Sequence, residues 1–121
     1  MLKSEEMVFS RGEDGNLIPQ IIELESLPDK PQAKVKPLTR GKLQEIHSLA
    51  TGSQEEKVKA DLEILREGLV EPKMTDEQLQ DLKPVYANAL ITAILAVSLD
   101  TSQEQISNQT TALQIDSLKK N

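Results

Sequence analysis

The spacing of apolar positions changes along the chain, and each change of period points to a different element. In the first thirty residues the apolar positions come as short runs, many of them β-branched: Met7-Val8-Phe9, Leu17-Ile18, and Ile21-Ile22-Glu23-Leu24-Glu25. Between the first two lies Glu13-Asp14-Gly15-Asn16, whose Asp-Gly pair favours a tight turn with positive φ. These signals predict a short β-hairpin arm over 1–27, with Pro19 confining its second strand to a sheet edge. A hairpin alone is marginal in water, so it must lean on helices or on a second chain.

From residue 38 the period becomes helical. Thr39 is a good N-cap, and Leu38 and Leu43 occupy the N′ and N4 positions of a hydrophobic staple. Leu43, Ile46 and Ala50 continue the spacing, and Gly52 supplies a stop. Ser53 and Glu56 form a capping box, and the helix it opens aligns Val58, Leu62, Leu65 and Leu69 as a narrow core stripe. Its outer face carries Glu55, Lys59 and Glu63 four residues apart, a pattern of ion pairs. Gly68 and Pro72 end it, and Thr75 with Gln78 forms another capping box ahead of Leu79 and Leu82. Helices are therefore expected near 39–51, 53–67, 76–83 and 85–99. Pro84 either occupies N1 of a new helix or kinks a longer one.

Residues 84–99 contain no charged side chain. As a helix they reach roughly 24 Å, short of the roughly 30 Å hydrocarbon core of a bilayer. Asn88, Thr92 and Ser98 weaken a membrane reading further. Two stripes emerge on the helical wheel. Tyr86, Leu90, Ala93, Ile94 and Val97 share one side and extend the core stripe; Asn88, Ile91, Leu95 and Leu99 share the other and form a candidate association surface. A helix apolar on both sides needs two partners, and the domain itself supplies one.

Two segments break the pattern. Residues 28–37 hold three of the six prolines (Pro28, Pro31 and Pro37) and read as a Pro/Lys-rich linker without regular pairing. Lys30, Lys34, Lys36, Arg40 and Lys42 put five positive charges and no acid between residues 30 and 44. The strip lacks interleaved aromatics for stacking on bases, and charge runs are usually solvated. After Asp100, Thr101 with Glu104 predicts one more short helix around Ile106. Residues 107–121 are rich in Ser, Thr, Asn and Gln and read as a flexible polar tail, or as a segment that orders on binding. The expected fold is thus mainly α: a helical domain of four to five helices over 38–106, preceded by the hairpin arm and linker and followed by the tail.

Composition narrows the chemistry. The 121 residues carry 14 basic and 20 acidic side chains, with no cysteine or tryptophan and a single histidine. Thiol catalysis, disulfides and cysteine-based metal sites are thereby excluded. Aromatics are only 2 %, so the core must be built from Leu, Ile, Val and Ala, which suits helix packing. His47 has no second histidine to form a metal pair. The acidic pairs Glu55-Glu56 and Asp76-Glu77 sit in first helical turns, where the helix dipole explains them. Nothing converges on a catalytic site, and no enzyme, cofactor or metal is expected. The polar, acidic N-terminus is unlike a signal peptide, which points to the cytoplasm.

The order of segments carries a resemblance. A basic KPLTRGKLQEI is followed by a charged, capped helix ending LREGLVEP, then MTDEQLQDLKPVYANALITAILAVSLD and a polar tail. Over roughly residues 36–101 this resembles the tail assembly chaperones of long, non-contractile-tailed bacteriophages. The resemblance implies a small, acidic, helical, non-enzymatic protein in the host cytoplasm. Such a protein self-associates, coats the tape measure protein, helps recruit major tail protein during tube assembly, and is absent from the mature particle. It also implies a longer product made by ribosomal frameshifting, and Lys119-Lys120-Asn121 is compatible with the codons of a slippery heptamer. No individual functional residue transfers, because the family has no motif of reacting side chains. Two other readings fit a small acidic chain. One is a regulatory DNA-binding protein using the basic strip, although neither candidate recognition helix is basic. The other is a structural head–tail connector, which would stay in the particle.

Overall fold

The computed structural model describes residues 1–106, so the polar tail, with Lys119-Lys120-Asn121, lies outside the described residues. The domain is mainly α, with helices α1 (Ser4–Met7), α2 (Arg40–Ala50), α3 (Gln54–Gly68), α4 (Asp76–Gln80) and α5 (Pro84–Ser98). A small antiparallel sheet joins β1 (Gln20–Glu23), β2 (Gln32–Val35) and β3 (Leu69–Glu71) in the order β1-β2-β3. Residues 103–106 form a further helical turn.

The helix ends follow the local chemistry of the sequence. Thr39 Oγ1 accepts the Lys42 N–H at 3.3 Å and starts α2. Both capping boxes form, Ser53 with Glu56 at α3 and Thr75 with Gln78 at α4. Pro84 stands at N1 of α5, where its missing N–H costs nothing, so the polypeptide starts a new helix there. At the other end Asp100 takes a left-handed φ of 52°, and the Thr101 N–H reaches back to Ala96 O at 3.0 Å. That reversal ends α5 and turns the chain back toward the sheet.

The first forty residues fold differently from the sequence reading. Asp14-Gly15 does make a turn: Gly15 has φ 81°, and Gly12 N–H donates to Asn16 O at 2.9 Å. Only one isolated bridge, Arg11 to Leu17, forms across it, and Ser4–Met7 coils into a helical turn. The lasting partner of β1 is β2, which lies inside the segment read as a linker and is the central strand. Pro28, Pro31 and Pro37 bracket β2 without interrupting it. Pro31, lacking an N–H, uses its carbonyl to accept from Leu24 N at 2.8 Å. Within β2, Ala33 and Val35 are buried while Gln32 and Lys34 face outward, an alternation too short to stand out among the prolines. Pro19 does precede an edge strand, as its chemistry requires.

The core makes the arm, the linker and the helices one unit. Leu24, Leu27, Val35 and Leu38 are buried together with Ile46, Ile64, Leu65, Leu90 and Ile94. Helix α5 packs on α3 along one side and on β2 along another. Of the core stripe expected from sequence, Leu65, Leu90 and Ile94 are buried, and Leu62, Leu69 and Val97 pack partly buried against them. Val58 and Tyr86 do not join it, being 61 % and 44 % exposed. Each sits in an early turn, ahead of the first buried residue of its helix, Ala60 in α3 and Ala89 in α5. Small residues are buried in the core instead: Ala60 in α3, and Ala89 and Ala93 in α5. The two helices meet tightly at Gly68, where an added Cβ would lie 2.5 Å from Ile94 Cγ2.

Candidate interaction surface

The buried arc of α5 takes in Ala89, Leu90, Ala93, Ile94 and Ala96, leaving the opposite side to Val85, Asn88, Thr92, Leu95 and Leu99. Three of the four residues expected to form an association surface stay on that side. Asn88 is exposed, Leu95 is half-buried and Leu99 is 53 % exposed. Ile91 is the exception. It packs, partly buried, against the core. Val85, more than half exposed, takes its place on the outward face.

Leu99 opens into a groove of about 860 Å³ between α2, the end of α5 and the N-terminal segment. Leu38, Leu43 and Leu99 supply apolar surface from the helical side, and Met7, Val8 and Phe9 supply it from the other. Arg40 and His47 stand on the α2 wall, and Glu6 on the N-terminal wall. Met7 and Val8 remain about two-thirds exposed, so this apolar run is not spent on the core. The run is legible in the sequence. Its role was not, because the same three residues read equally well as a strand.

Ser98 holds the two helical walls together. Its Oγ accepts the Leu38 N–H at 2.7 Å and donates to Ile94 O at 2.7 Å, both within a part-buried contact. The backbone just before α2 is thereby tied to the last turn of α5. The partner lies sixty residues away, beyond the reach of any local sequence signal.

Three cations elsewhere on the domain are paired with carboxylates. Lys42 sits 2.9 Å from Glu45, 3.3 Å from Glu63 and 3.7 Å from Glu67, joining α2 to α3. Hydrogen bonds to Glu45 and Glu63, with Glu67 beside them, raise the Lys42 pKa above the ordinary lysine value. Arg66 donates from Nε and Nη2 to the two Asp76 carboxylate oxygens at 3.2 and 3.1 Å, fastening α3 to α4. Lys34 lies 4.0 Å from Glu71 across β2 and β3. Two of the five cations of the basic strip are therefore faced by carboxylates, and Lys34 and Lys36 project from or beside a strand and not from a free linker.

Among the described residues there is no group of three or more His, Asp or Glu placed to hold a metal ion. The short helix expected around Ile106 does form, but Ser102 caps it in place of Thr101, accepting the Gln105 N–H at 3.1 Å. No helix of the described residues is long and apolar enough to cross a membrane. The chain matches no family model, no curated protein and no solved structure.

Proposed function

We propose that this protein is a non-enzymatic tail assembly chaperone of a long, non-contractile-tailed bacteriophage. In this role it self-associates, coats the tape measure protein and helps recruit major tail protein in the host cytoplasm. The observation that carries the reading is the uncharged helix α5. Its outward face runs through Leu95 and Leu99 into an apolar groove, on a chain of net charge −6. Apolar surface is what a long hydrophobic client needs, and net charge of one sign keeps the loaded complex soluble. The resemblance over residues 36–101 points to the same role.

Co-expression with a tape measure protein from the genome encoding this chain tests the reading. The expected result is a soluble complex in which several copies co-elute with the tape measure protein. A tape measure protein that stays insoluble, or elutes apart from the chain at micromolar concentration, overturns it. Mass spectrometry of purified particles separates the chaperone from a head–tail connector, since only a connector is retained. A sequence-specific DNA shift at physiological salt would instead establish the regulator.

A further inference from the structure

The N-terminal segment borders the domain without being packed into it. Every one of residues 1–16 is exposed, and Met1, Leu2, Met7, Val8 and Phe9 all stand among the exposed large apolar side chains. Among the described residues no hydrogen bond or ion pair joins residues 1–9 to α2 or α5. The turn that follows is closed by its own bonds. Ile18 N–H donates to Ser10 O at 3.3 Å and Gly12 N–H to Asn16 O at 2.9 Å, so Ser10 is held beside Ile18, just ahead of β1. Residues 1–9 thus leave the domain as an arm from a closed turn. An arm that buries so little opens at low cost.

In its place beside the domain the arm leaves the groove unfilled. About 860 Å³ lies open between Met7, Val8 and Phe9 on one wall and Leu38, Leu43 and Leu99 on the other. Met7, Val8 and Leu99 are each more than half exposed, so both apolar walls keep their contact with water. The charges are left in the same condition. Glu6 stands on the arm wall and Arg40 on the α2 wall, yet Arg40 is paired with no carboxylate among the described residues. The occupant that suits this groove is an apolar run with a carboxylate next to it. Glu6-Met7-Val8-Phe9 of a second copy is such a run, and it approaches without the closed turn that holds the first copy's arm in its place.

We propose that the arm of one copy docks in the groove of another. Met7, Val8 and Phe9 then lie against Leu38, Leu43 and Leu99, with Glu6 at Arg40. Exchanged reciprocally, the contact is isologous and leaves no arm or groove open, so the product is a closed dimer. This deepens the self-association in the reading above, and rests on that reading in no other respect.

Analytical ultracentrifugation of the full chain up to about 1 mM, a range that captures weak association, tests it. The native chain should show a concentration-dependent dimer. Arg40 opens α2, where a carboxylate suits the helix dipole, and Glu6 lies on the exposed arm, so charge reversal at either position spares the fold. Glu6→Lys and Arg40→Glu each set like charges together at both contacts and should weaken the dimer about threefold to thirtyfold. Mixed one to one, E6K and R40E restore opposite charges at both contacts, and the heterodimer should return to near-native affinity. The E6K/R40E double variant should do the same. Phe9→Ser and Leu99→Ser remove apolar surface from the two walls and should each weaken the dimer about tenfold or more. A native chain that stays monomeric throughout overturns the proposal. So do F9S and L99S chains that dimerise as the native one does, or an E6K and R40E mixture that associates no better than either alone. A monomer that still co-elutes with tape measure protein sinks the arm exchange alone; a dimer that ignores it sinks only the chaperone reading.

Discussion

Adding one methyl group at Gly68 probes how closely α3 and α5 approach. The new Cβ would lie 2.5, 2.8 and 2.9 Å from Cγ2, Cδ1 and Cγ1 of Ile94. Carbon atoms prefer about 3.5–4.0 Å, so the overlap approaches an ångström on three atoms at once. Ile94 has no room to swing aside, because it is fully buried in the core. Overpacking of this kind costs about 1–3 kcal/mol. Alanine recovers at most about 1 kcal/mol of helix propensity over glycine, and less at the last residue of α3. Gly68→Ala should therefore destabilise the domain by about 1–2 kcal/mol net, a fall of several degrees in Tm. Urea unfolding followed by circular dichroism measures it. Ile94→Ala removes all three clashing atoms and alone costs about 2–5 kcal/mol. In that background Gly68→Ala should become neutral or mildly stabilising, so the two changes couple by more than the ~0.5 kcal/mol expected of independent sites. A Gly68→Ala protein as stable as the native one, or an additive cycle, would falsify the assigned contact.

Ser98→Ala strands the part-buried Leu38 N–H and should cost about 1–3 kcal/mol in urea unfolding, whereas Ser98→Thr, which keeps the hydroxyl, should cost less. Leu95→Glu should preserve helicity by circular dichroism and abolish co-elution with the tape measure protein; a variant that unfolds would place Leu95 in the core. Lys42→Met should lower Tm at neutral pH, and less so in high salt. Because folding raises the Lys42 pKa, its contribution is complete below the ordinary lysine value of 10.5 and is lost as pH rises through the higher folded value. The Tm gap between native and K42M chains should hold to about pH 10 and close only above it; a gap that closes between pH 6 and 9 contradicts the assignment.

The helical half of the chain was legible because its signals are local. Thr39, Ser53 with Glu56, and Thr75 with Gln78 each reach only three residues along the chain, so the cap forms wherever the residues stand. Spacing also identified Leu65, Leu90 and Ile94 as core. It misplaced Val58, Tyr86 and Ile91, since a wheel gives the direction of a side chain and not the extent of the neighbour that covers it. Of the candidate association surface, Asn88, Leu95 and Leu99 keep their outward placement.

The sequence by itself determined the starts of α2, α3 and α4, the class of the fold and the uncharged character of α5. Each of these depends on residues within a turn or two of one another. Tertiary structure alone decided which strand pairs with β1, where Gly68 meets Ile94, and that Ser98 answers Leu38 and Gln103 answers β1. The Asp14-Gly15 turn was a sound local signal for a hairpin. It lost its strand to β2 because pairing there buries Ala33 and Val35 in the common core, and the gain from that burial is invisible until α3 and α5 are in place to receive it.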